Sequence, residues 1–340
     1  MQTIQSLDLP LIWGLLIAVA VLAYVVLDGF DLGCGILFAV EPDAADRDVI
    51  VNTVAPVWDG NETWLILGGG GLFAVFPLAY GIIMPALYPI IIAMLLALIF
   101  RGVAFEFRFR AHSRLGKRSW DWAFFLGSTL AGFCQGLALG GLLQGIKVVD
   151  GAYAGGWWDW LTPFSLVCGI AVVVGYALLG ACWLVWRTEG ALQQRNRRRA
   201  GVLGAATLIM IVVVSLWTPF LPAGYAARWF AWPHLLFVWP VPLLVAGLAV
   251  LFWRALQRGS HGGPLLCALG WFVLSFVGLG ISVFPHIVPP DITLWDAAAP
   301  PVSQAFLLVG AVVLIPLILV YTGYAYWVFR GKVQHGVGYH

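Results

Sequence analysis

Long apolar runs, each continuous rather than alternating, leave this chain little choice of fold. Nine can be marked, at roughly residues 10–39, 55–79, 82–104, 121–146, 163–186, 202–221, 232–253, 264–285 and 304–329. A helix needs about 20 apolar residues to cross the hydrocarbon core, and in lipid only helices and closed barrels satisfy every backbone group. Barrel strands alternate apolar and polar residues, and these runs do not. With 61% hydrophobic and 10% charged residues and a mean hydropathy of +0.93, a soluble globular domain is excluded. The expectation is an all-α polytopic membrane protein with nine transmembrane helices, one helical domain over residues 1–340. The first run is expected to remain as a span rather than act as a secretory signal. No Lys or Arg precedes it, it is too long, and Asp28 and Asp31 replace the small residues of a cleavage site.

Charge sets the orientation. All of the 18 Lys and Arg residues except Lys147 and Arg228 fall in the loops and tail of one side. By the positive-inside rule that side is cytoplasmic, which places the amino terminus in the periplasm and the carboxyl terminus in the cytoplasm. The basic run Arg195 to Arg199 reads as a topology determinant beside anionic headgroups. Trp120-Asp121-Trp122, Trp157-Trp158-Asp159-Trp160 and the tryptophans from 217 to 239 read as interfacial aromatics.

Against this background the acids stand out. Asp28 and Asp31 lie toward the cytoplasmic end of the first run, and Asp59 and Glu62 open the second, between Trp58 and Trp64. An ionised carboxylate in hydrocarbon costs several kcal/mol unless it pairs, protonates or lines a polar path. The four can meet from adjacent helices. The loop between them carries Glu41, Asp43, Asp46 and Asp48 against Arg47 alone, and reads as an acidic mouth. Glu106, near Arg101 and Arg108, reads as half of a surface ion pair, and Gly68 to Gly71 as a close helix-packing stretch.

The other ligand types are sparse. Cys34, Cys134, Cys168, Cys182 and Cys267 are scattered singly, without metal or haem spacing, and read as small buried hydrophobes. His234 and His286 fall near outer helix ends, and His112, His261, His335 and His340 in cytoplasmic loops or the tail. A haem held in a bundle wants histidines from facing helices, and Met94 and Met210 have no such partner, so this chain is expected to ligate no haem. No internal repeat is visible. On residues alone, a proton- or cation-coupled secondary transporter or channel uses the same acids as well as a redox subunit does, and a scaffold without chemistry of its own also fits.

The ordered motifs resemble a family. Asp28-Gly29-Phe30-Asp31-Leu32-Gly33, Ala55 through Trp64, Phe100-Arg101-Gly102-Val103-Ala104-Phe105-Glu106, Trp120-Asp121-Trp122, Leu142-Leu143-Gln144-Gly145, Leu294-Trp295-Asp296-Ala297 and the closing Tyr321 to Trp327 are similar to subunit II of the cytochrome bd-type quinol oxidases. The short outer loops are similar to the cyanide-insensitive branch. The resemblance implies a nine-helix subunit in a bacterial inner membrane, paired with a subunit I that carries haem b, haem d and the quinol-oxidising loop. It implies quinol oxidation coupled to reduction of dioxygen to water, with protons drawn from the cytoplasm. Asp59 matches the family's cytoplasmic proton path, to which Glu62 is assigned with it, Asp28 and Asp31 form a supporting acid cluster, and Trp64 matches the family's oxygen route. Relatives can carry Gln where this chain has Glu62. A small accessory subunit and a bound quinone are compatible with it; membrane lipid is the surroundings, and no nucleic acid is expected.

Overall fold

The computed structural model describes residues 7–233, 235–334 and 336, without the side chain of Arg228; His234, His335 and His340 lie outside the described residues. The chain forms α1 (Leu9–Phe38), α2 (Ala44–Val54), α3 (Trp58–Val75), α4 (Pro77–Arg110), α5 (Arg114–Gln144), the hairpin β1 (Val148–Val149) and β2 (Ala152–Tyr153), α6 (Pro163–Arg187), α7 (Gly190–Trp217), α8 (Tyr225–Phe230), α9 (Leu235–Val238), α10 (Pro240–Gln257), α11 (Gly263–Val283), the hairpin β3 (His286–Val288) and β4 (Ile292–Thr293), α12 (Leu294–Ala297) and α13 (Pro301–Val328).

Eight of the helical segments among the described residues are long and apolar enough to cross a membrane, with α9 and α10 counted together. The remaining run of the sequence, the second (55–79), became α3, which is only 18 residues long. Its first two turns carry Asp59, Asn61 and Glu62 and its middle carries four glycines, so its apolar length falls short. It ends at Phe76 (φ −124°, ψ 61°), where Pro77 supplies no backbone donor and pushes the preceding residue off the helix. The turn comes several residues before the 79–82 break expected from hydropathy.

Helices also run past the apolar limits. α4 continues to Arg110, Ser113 then caps α5 by accepting from the Gly116 amide at 3.0 Å, and α7 starts at Gly190, so that Arg101, Arg108 and Arg195 to Arg199 are helical rather than loop residues.

α1 lies at the centre, packed against α3, α5 and α6, while α5 and α6 also pack together and α4 covers α5. The α1–α6 crossing runs through Gly33 and Gly180, where a Cβ on either would overlap the other helix's backbone. In lipid such close approach is a main source of helix association. Phe30, stacked on Trp183 at 4.0 Å between centroids, lies in the same core. The glycine stretch of α3 divides. Gly68 and Gly71 face Val21 and Ile17 of α1, whereas Gly69 and Gly70 meet nothing within 4 Å. Beside them Ile66 and Phe73 are exposed, and the most apolar window of α13 has no buried residue. All five cysteines are buried and unpaired.

Candidate functional site

Three carboxylates converge on one guanidinium inside the bundle. Arg101 of α4 places Nη2 at 3.0 Å from Asp28 Oδ1 and 3.9 Å from Asp31 Oδ2, and Nη1 donates to Glu62 Oε1 at 2.8 Å. Arg101, Asp28 and Asp31 have no exposed surface, while the Glu62 side chain keeps 25%. The guanidinium lies 5.6 Å from the Phe105 ring centroid, and Trp58 stacks on the outer face of that ring. Asn61 fastens the other edge. Its Nδ2 donates to Asp31 Oδ2 at 2.7 Å, and its Oδ1 accepts from the Tyr326 hydroxyl of α13 at 3.0 Å. Tyr326 in turn sets its edge against both Phe30 and Trp183. Behind Asp28 a polar strip leads into the bundle, where Tyr176 donates to Gln135 Oε1 at 2.6 Å and Gln135 Nε2 donates to the Tyr24 oxygen at 2.8 Å.

Helix geometry explains the convergence. Residues three apart share a face, which sets Asp28 and Asp31 together on the last turns of α1. The first two turns of α3 then present Asn61 and Glu62 to that face. Arg101 reaches it because α4 carries the end of the third apolar run as helix, through to Arg110. Burial of such a set contributes little net stability, but removing one member of a buried pair costs about 3–5 kcal/mol because the rest is left uncompensated. One guanidinium can balance one carboxylate, so the surplus is met by protons or by charge from outside the chain. Between α3 and α13 a half-open cavity of about 20 Å³, lined by Val57, Gly60, Asn61, Tyr321 and Tyr326, has room for a single water.

Of the expected site residues, Asp28, Asp31 and Glu62 are brought together. Asp59, three residues before Glu62 in the first turn of α3, stands outside the set, exposed and without a side-chain partner among the described residues. Trp64 is buried against Ala20 and Tyr24 of α1, and its indole N–H has no partner among the described residues.

Two expectations are corrected. Arg101 is the centre of the acid cluster and not a loop residue available to Glu106. Glu106 lies exposed, 3.6 Å from Arg110. The acidic mouth is neutralised, because Glu41 is fully buried between Arg195 (2.7 Å) and Arg199 (2.9 Å), Asp46 pairs with Arg195, and Asp48 meets Arg108 at 2.7 Å and Lys117 at 3.3 Å. Within the basic run of α7, Arg195 and Arg199 are thus held by carboxylates and Arg197 donates to the carbonyls of Leu256, Gly259 and Ser260, while Arg198 is exposed. Gln135 and Tyr24 carried no signal in the sequence, and Asn61 and Tyr326 stood inside the family-like motifs without a role assigned to them. Arg101 did carry one, as a cation directly following nineteen mostly apolar residues from Ile82 to Phe100.

A haem is a poor fit to the donors among the described residues. His112 lies between α4 and α5, His261 between α10 and α11 and His286 in β3, away from the membrane helices. Among the described residues no group of three or more His, Cys, Asp or Glu side chains is placed to hold a metal ion.

The geometry defines a polytopic membrane protein with a buried, cation-deficient carboxylate cluster. The comparisons give it a family. The profile of cytochrome bd terminal oxidase subunit II matches residues 9–329, and the chain belongs to that family. It is 30% identical to the cytochrome bd-I ubiquinol oxidase subunit 2 of Escherichia coli (strain K12), over 96% of this chain and 95% of the relative. It is 29% identical to the cytochrome bd ubiquinol oxidase subunit 2 of Bacillus subtilis (strain 168), over 95% and 96%. The fold is shared with a chain in the structure of bd oxidase from Geobacillus thermodenitrificans, with a TM-score of 0.75 at 16% identity, covering 95% of this chain and 99% of that one. The chain is therefore a multi-pass membrane subunit of a cytochrome bd-type quinol oxidase complex.

Proposed function

We propose that this subunit carries protons from the cytoplasm toward its partner, subunit I, which holds haem b and haem d and there oxidises quinol and reduces dioxygen to water. In this reading α3 is a ninth, polar span, with the amino terminus in the periplasm and the carboxyl terminus in the cytoplasm of a bacterial inner membrane. The clustering of basic residues at one end of the helices supports that orientation. The observation that carries the proposal is the arrangement of acids. Asp59 faces outward, Glu62 stands one turn further with a quarter of its side chain exposed, and Asp28 and Asp31 are sealed behind it on Arg101. Carboxylates in excess over their cation form a place where protons reside and exchange. The exposed face of α3 and α13, with Gly69, Gly70 and the cavity beside Asn61, is where subunit I would cover Asp59. Trp64 supports a role beside an oxygen route only through its resemblance to the family position.

Asp59→Asn tests the proposal in the assembled complex, since it preserves shape and hydrogen bonding but cannot carry a proton. Haem content is expected to be unchanged while quinol-driven oxygen consumption falls by an order of magnitude or more. Full activity in a haem-replete variant would remove Asp59 from the path.

A further inference from the structure

The end of the bundle that carries the basic residues holds a second feature outside the acid cluster. A half-open cavity of about 150 Å³ lies between the end of α1, α2 and the first turns of α5, lined by Phe38, Arg47, Arg118, Asp121, Trp122 and Phe125. Its charge is uneven. Asp121 is occupied on both oxygens, by Arg108 Nε at 2.6 Å and Arg47 Nη1 at 3.4 Å. Arg47 also donates through Nε to the Glu41 carbonyl at 2.7 Å and lies 5.6 Å from the Phe38 ring centroid. Asp48 is held by Arg108 and Lys117. Four cations (Arg47, Arg108, Lys117 and Arg118) therefore face two carboxylates. Arg118 is the unmatched one, exposed at the cavity and with no hydrogen-bond or ion-pair partner among the described residues.

The wall beside it is apolar. Trp122, Leu126 and Leu130 recur every four residues along one face of α5 and are 49%, 55% and 45% exposed. They make a strip about 12 Å long leading away from the cavity along the helix. A surplus arginine and an interfacial tryptophan at the head of an exposed apolar strip match both halves of a phospholipid.

We propose that this cavity binds the phosphodiester of an anionic phospholipid, with Arg118 as the principal cation and an acyl chain laid along Trp122, Leu126 and Leu130. Asp121 does not repel the phosphate, because two arginines already engage it. The site is independent of the proton path, and its failure would leave the Asp59 experiment untouched.

Native mass spectrometry of the detergent-purified oxidase complex tests it, with phosphatidylglycerol or phosphatidylcholine titrated in and inorganic phosphate as competitor. One phosphatidylglycerol is expected to bind more tightly than phosphatidylcholine. Arg118→Gln should weaken it about five- to tenfold, near the effect of one interfacial basic residue. Arg118→Lys should recover most of the loss, with phosphatidylcholine binding unchanged throughout. Leu126→Gln, which spares every charge, should also weaken phosphatidylglycerol and guards against misassembly of the first variant. Equal phosphatidylglycerol binding in wild type, Arg118→Gln and Leu126→Gln would overturn the proposal. So would displacement of the lipid by equimolar inorganic phosphate, which would make this a free-anion site.

Discussion

Two sets of ion pairs hold this chain together, and they are built to opposite stoichiometries. The inner set joins α1, α3 and α4, with Asp28, Asp31 and Glu62 around Arg101 alone. The outer set joins α2 to α4, α5 and α7, and matches Glu41, Asp46, Asp48 and Asp121 with Arg47, Arg108, Lys117, Arg195 and Arg199. The outer set can satisfy every carboxylate by pairing. The inner set cannot, so it is the one suited to holding exchangeable protons. Acid count alone does not separate a structural clasp from a chemical site; the ratio of acids to reachable cations does.

The strongest challenge to that contrast is Arg101→Met. It strips three buried or half-buried carboxylates of their only cation and should cost about 3–5 kcal/mol, read as loss of assembled, haem-bearing complex from membranes. Next in size, Gly70→Leu should free subunit I on purification while the chain itself stays folded, because among the described residues no other element comes within 4 Å of the added Cβ. Gly68→Leu instead meets Val21 of α1 and should lower the melting temperature of the chain. If both behave alike, the open face beside the inner set is not the partner's.

Arg199→Gln should be milder than Arg101→Met. Glu41 keeps Arg195, and Arg199 is partly solvated, so about 1–2 kcal/mol is expected in thermal unfolding of the complex. A loss equal to that of Arg101→Met would erase the distinction between the two sets.

The smallest effect belongs to a carboxylate in neither set. Asp296 closes a capping box with Thr293 in the loop before α13, and the Thr293 hydroxyl, followed by its backbone amide, holds Asp296 below the usual carboxylate range. Because the folded value is the lower one, the cap's contribution is fully present above the unfolded carboxylate pKa of about 4 and is lost as pH falls through the folded value. Amide exchange at residues 293–297 should accelerate only in acid, and Asp296→Asn should abolish that dependence.

How much of this was legible beforehand follows from range. Apolar run length and loop charge are local, and they alone determined a helical membrane protein, five of its candidate spans to within four residues at both ends, and the side on which cations gather. Asp28 and Asp31 announced themselves because a carboxylate in an apolar run has few innocent explanations. The residues that complete the site were hidden. Arg101 is 73 positions from Asp28 and sits beside ordinary loop-like cations, and Tyr326 is 265 positions from Asn61. Whether an arginine ends in a loop or inside a bundle depends on where α4 stops and what it packs against. Likewise Glu41, Asp46 and Asp48 looked like an open acidic mouth until α7 supplied cations to the first two from more than 140 residues away and α4 and α5 supplied them to Asp48. Sequence fixes which side chains are too costly to leave unpaired in lipid. Only the packed helices decide which partner each one finds, because pairing energy depends on distances that no local pattern encodes.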